Sequence, residues 1–278
     1  HFLGLSVTVS QSQLIKLPVL LTFFSGVVVF VTALRMRETA AQREGSVRAT
    51  LVTSYWRTLG AGRWIWSSAW PFAIILAAMA LDSVIRQFLT LASEYWKIIQ
   101  LPIASYGLIG SGMALLGLFV PKVARILSER YRPATNFLLT SAGVFLGLAG
   151  LGFAVPYWGI LPAVLVYVGM GLTGFFVSRY LNEAAPSEHR ATVLSFRGLS
   201  TNVAYGGVSL LYSVLIVSIR ESGSGAAVPA GVTGQDAVFV EALRWFPWYF
   251  LLTVVLVFAV YRFRFGGRLQ AGPTEGKR

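Results

Sequence analysis

Stretches of about 20 apolar residues, the length that carries an α-helix across a bilayer, recur along the whole chain. They cover residues 14–34, 70–91, 103–120, 134–155, 160–180, 191–217 and 245–261. A soluble domain carries roughly 25% charged residues, whereas this chain of 278 is 12% charged and 55% hydrophobic. The pattern predicts an all-α, multi-pass membrane protein. Tyr55, Trp56, Trp64, Trp66, Trp70, Tyr157, Trp158, Trp245 and Trp248 lie near the span ends, where amphipathic rings form interfacial belts.

A formal charge of +12 would suit a nucleic-acid partner, but its placement argues against one. The basic residues fall in short loops between apolar runs, as membrane topology requires. Arg35, Arg37, Arg43, Arg48, Arg57 and Arg63 follow the first span. Lys122, Arg125, Arg130 and Arg132 follow the third, and Arg179, His189, Arg190 and Arg197 surround the end of the fifth. The tail is basic again, whereas the remaining loops are balanced or uncharged. This alternation places the start of the chain outside and its end in the cytoplasm of a cell membrane.

The expected organisation is one helix over 1–34, a basic cytoplasmic linker over 35–69, a six-helix bundle over 70–262 and a basic tail over 263–278. Basic residues among aromatics between 47 and 66 suggest a segment lying in the membrane interface. No charged region or cleavage site precedes the first span. The start at His1 and the odd number of spans suggest part of a longer chain.

Ionisable residues within spans cost roughly 2.5–3.5 kcal/mol each to insert. Asp82 stands mid-way along the second span, and Arg86 follows one turn later on the same face. Thr90 extends that stripe, with Ser83 and Gln87 beside it. Such a stripe faces an aqueous pathway or pins the helix to a neighbour. Asp82 then binds a proton or cation, with Arg86 as its partner or as an anion-binding group. A close pair lowers the carboxylate's proton affinity, so a plain proton-carrier role requires substrate to separate the two.

Asn202, Tyr205, Ser209 and Tyr212 form a second polar stripe on the sixth span, suited to a solute or to bonding between helices. Glycines crowd the third to fifth spans, where small residues allow close helix approach.

Two loop stretches carry a resemblance. Leu127-Ser128-Glu129-Arg130-Tyr131-Arg132-Pro133 resembles the second-half loop motif of the major facilitator superfamily, with Glu129 in place of Asp and Arg132 in place of Gly. Pro186-Ser187-Glu188-His189-Arg190-Ala191-Thr192 is similar to the Arg-Ala-Thr segment that many members carry before their eleventh helix. The resemblance covers nearly the whole chain. It implies the sixth family helix followed by the C-terminal half, with the N-terminal half of the same chain as the missing partner.

It also implies secondary active transport of a small solute by alternating access, coupled to an ion gradient. Asp82, Arg86, Asn202 and Tyr205 would line the pathway, and Glu129, Arg130, Arg132 and Arg190 would form a cytoplasmic gate. Half of such a transporter should not transport alone. The partners expected are the lipid bilayer and a small-molecule or ion substrate.

No Gly-rich phosphate loop is present to drive transport with ATP. Neither His1 nor His189 lies mid-membrane, and there is no cysteine, so no metal site, cofactor or enzymatic centre is expected. The alternative to a transporter is a non-transporting multi-pass sensor or scaffold.

Overall fold

The computed structural model describes residues 11–35, 55–56, 59–60, 62–185, 190–223 and 234–265. All regular elements among them are helical. The chain divides into two units, His1–Leu51 and Val52–Arg278, so the stretch read as a linker is shared between them. The first unit contains α1 (Gln11–Arg35). Within it, Leu20–Arg35 is apolar.

The second unit contains α2 (Ala69–Thr90), the short α3 (Ala92–Ile98), α4 (Tyr106–Arg130), α5 (Pro133–Leu151), α6 (Ile160–Ala184), α7 (Arg190–Ser222) and α8 (Gln235–Phe265). Apart from α3, each of these is long and apolar enough to cross a membrane, which makes six such helices among the described residues. The protein is an all-α, multi-pass membrane protein.

Two span boundaries differ from expectation. The third span continues as helix through Lys122, Arg125 and Arg130 rather than ending near 120. It ends at Arg130, where Tyr131 and then Arg132 turn extended before Pro133, which disfavours helical geometry in its predecessor and then opens α5. The last span starts at Gln235, ten residues before Trp245. Between Asp236 and Arg244 the fully buried residues Val240, Ala242 and Leu243 share one side of the helix. The stretch 220–244, expected as a loop, is therefore helical at both ends.

Helix α2 is the hub of its unit, packed against α6, α7 and α8. Of its apolar window 61% is buried, against 11% for α4 and α7. At one end, Phe72 and Ile75 of α2 pack with Ala124 of α4, Phe176 and Tyr180 of α6, and Val193 of α7. Ile65, from the helical stretch 62–67, joins this cluster while Arg63 stays exposed. At the other end, Phe88 and Tyr95 pack with Leu148 and Leu151 of α5 and Leu243 and Phe246 of α8. The outer faces expose Leu108, Phe119, Leu146, Leu210 and Phe258. Apolar side chains outside and polar contacts between helices are what a lipid solvent selects.

Close approach between α5 and α6 requires glycine. A Cβ on Gly169 would lie 2.4 Å from the Val144 side chain, and one on Gly147 would lie 2.7 Å from that of Val166. On α4, Gly107, Gly110 and Gly112 face open space, and the close approach to α6 is made instead at Gly171, whose Cβ would lie 2.8 Å from the Val120 side chain.

Candidate functional site

The two polar stripes meet along the seam between α2 and α7. Asp82 is 13 residues past the start of the 22-residue α2, about 20 Å along the helix at 1.5 Å per residue. One turn on, Arg86 forms an ion pair with it. The Asp82 Oδ2 atom is buried and carries no aligned hydrogen bond. The side chains retain 14% exposure for Asp82 and 31% for Arg86.

Helix α7 supplies the other contacts. Arg86 Nη1 donates to Asn202 Oδ1 at 2.7 Å. A guanidinium only donates, so the amide oxygen must face it. The Arg86 guanidinium also lies over the Tyr205 ring, 5.4 Å from its centroid, where the ring quadrupole attracts a cation. The Thr90 hydroxyl donates to the Arg86 carbonyl at 2.9 Å. Its single proton is thereby used, so in its 3.2 Å contact with Tyr205 the phenol is the donor. A turn further, Ser209 Oγ donates to Gln87 Oε1 at 2.7 Å, and Tyr212 meets Phe246 of α8 edge-on.

Asp82, Arg86, Asn202 and Tyr205 thus form one cluster, with both charges on α2 and their neutral partners on α7. The hydrogen bonds run between the two helices, while Asn202 stays exposed and Tyr205 partly so. A separate groove of about 480 Å³ between α4 and α6 is lined by Leu108, Ile109, Met113, Leu116, Ile160 and Val164. It has no charged side chain in its wall.

Among the described residues, Glu129, Arg130, Arg132 and Arg190, expected at the gate, stand as follows. Glu129 pairs with Arg125 of its own helix at 2.9 Å rather than with a neighbouring helix. Because α4 continues to Arg130, residues 125 and 129 lie one turn apart on one face. Arg130 lies over the Tyr131 ring, Arg132 directly precedes α5 in extended geometry, and Arg190 opens α7 and is exposed. Pro186, Ser187, Glu188 and His189 lie outside the described residues.

The structure adds three contact sets that the sequence reading missed. Asn136, 1% exposed, donates to the Tyr180 hydroxyl at 2.8 Å and to the Leu127 and Tyr131 carbonyls at 3.3 and 3.4 Å. It therefore satisfies the end of α4 from α5 while reaching α6. Arg197 of α7 donates to Ser178 of α6 at 2.8 Å.

At the opposite end Lys97 pairs with Asp236 at 3.1 Å, Tyr157 N donates to Ile99 O at 2.8 Å, and Tyr95 donates to Gly159 O at 3.2 Å. Burial pushes the Tyr95 phenol well above its ordinary pKa, which keeps it a donor. A polar residue inside an apolar span was the available signal for Asn136. Nothing local signals a partner 44 residues away.

Comparisons with protein-family models, curated proteins and solved structures return no match for this chain.

Proposed function

We propose that this chain belongs to a secondary active transporter of the major facilitator type, with the helices of 70–262 forming one six-helix half. The observation that carries the proposal is the Asp82–Arg86 pair, set deep in a spanning helix and tied to Asn202 and Tyr205 on a second one. A charge pair kept at that depth has a function or a fixed partner to justify its insertion cost. Here it stays partly exposed and shares a seam with neutral polar groups, as a solute pathway between moving helices requires. The motif-like loops at 127–133 and 186–192 support the family assignment.

In this proposal Asp82 and Arg86 are the groups that bind solute and coupling ion, and Asn202 and Tyr205 hold the guanidinium in position. The two halves rock about the midplane, energised by an ion gradient. The basic ends of α4 and α7 and the tail face the cytoplasm of a cell membrane, and the Lys97–Asp236 end faces outward. Glu129, Arg130, Arg132 and Arg190 form the cytoplasmic gate in this proposal.

The test is flux of small organic solutes in cells expressing the complete gene product. Asp82→Asn should abolish transport at unchanged membrane abundance. A sensor or scaffold would move no solute in either form.

A further inference from the structure

We infer that the solute is a small monocarboxylate, which binds by taking Arg86 away from Asp82. The inference rests on the transport reading above and names the chemistry of the same site. The guanidinium is the cation at the α2–α7 seam, and its present counter-ion is a neighbour on its own helix. Asp82 approaches Nη2 from the same helix, and its buried Oδ2 lacks an aligned hydrogen bond. Asn202 occupies Nη1. No hydrogen bond among the described residues engages Nε, and Arg86 retains 31% exposure. A free carboxylate can approach in the plane of the guanidinium and form the two parallel bonds that an i,i+4 neighbour does not form here.

Charge selects the same class. Arg86 carries a single positive charge, and a carboxylate matches it by replacing one carboxylate with another. A phosphate dianion would leave a charge uncompensated at membrane depth, where that is costly. A cationic solute would meet the guanidinium with Asp82 already taken. Tyr205 remains behind the guanidinium and keeps it in place during the exchange. In this scheme Asp82 is an internal competitor. A site free in only a small fraction of molecules binds more weakly by that fraction.

The experiment uses the complete gene product in native membranes. The 278 residues contain no cysteine, so Thr90→Cys places one thiol within them, beside Tyr205. Alkylation of that thiol is measured with acetate, benzoate, acetamide, benzamide or inorganic phosphate present. Acetate or benzoate should slow the reaction, and the amides and phosphate should not.

Adding Asp82→Asn should lower the half-protecting carboxylate concentration about tenfold, if Arg86 is free in about one molecule in ten. Adding Arg86→Lys should raise it, by keeping the charge and losing the fork. The inference is overturned if neither carboxylate protects, if the amides or phosphate protect as well, or if Asp82→Asn leaves the concentration unchanged or raises it. Uptake of labelled benzoate in the same membranes separates the two claims. Protection without flux keeps the ligand class and removes transport. Flux of another solute that is lost in Asp82→Asn, without carboxylate protection, does the reverse.

Discussion

At the scale of single residues, Arg86 is held in three ways: by charge to Asp82, by a hydrogen bond to Asn202 and by the face of Tyr205. Substitutions at Tyr205 separate these contributions. Tyr205→Phe keeps the ring under the guanidinium and loses only the bond to Thr90, so thermal unfolding of the purified protein should shift little. Tyr205→Ala removes a cation–π contact worth about 0.5–2 kcal/mol and should lower the unfolding temperature measurably.

Asp82 and Arg86 were legible in the sequence because a charge inside an apolar run is expensive and a spacing of four sets the two on one face. Asn202 and Tyr205 were legible as a stripe, though the sequence left open whether they serve a solute or the helices. The Asn136–Tyr180 bond was not legible, because no periodicity says which distant hydroxyl a lone amide will meet. Glu129 was assigned to a loop that is in fact helix, and its partner followed from that change: Arg125, one turn back.

At the scale of helices, the α5–α6 contact depends on the absence of two side chains. Gly169→Ala brings a methyl group against Val144, and overpacking of this kind costs about 1–3 kcal/mol. Gly110→Ala, facing open space, is the matched control and should leave the unfolding temperature unchanged. Asn136→Ala should destabilise by about 1–3 kcal/mol, since it deprives buried acceptors on α4 and α6 of their donor.

The helices themselves could be read from the apolar runs, and most observed boundaries lie within a few residues of expectation. The exceptions are the ends where charges enter the pattern. Hydropathy drops at Lys122 and again before Trp245, but helical hydrogen bonding does not depend on hydropathy. Packing extends α8 back to Gln235, through residues as buried as Val240.

At the scale of the whole molecule, the two ends of the second unit are held differently. One end has Asn136 and an aromatic cluster in which the Phe176 and Tyr180 rings stack. The other has the Lys97–Asp236 pair beside the Tyr95 and Tyr157 bonds. The hydrogen bond and charge of Asp236 raise the Lys97 pKa above the ordinary lysine value. The contribution of this pair is therefore fully present below that ordinary value and is lost as pH rises through the raised one. Wild-type protein and Lys97→Met should differ in unfolding temperature at neutral pH and converge in strongly alkaline buffer.

The central claim is that the Asp82–Arg86 pair serves solute movement. Its most direct test is flux of a panel of small organic solutes in cells making the complete gene product, as wild type, Asp82→Asn and Arg86→Ala, at matched membrane abundance. The account predicts that wild type moves at least one solute and that both variants lose this transport. Transport left intact in both variants would contradict it.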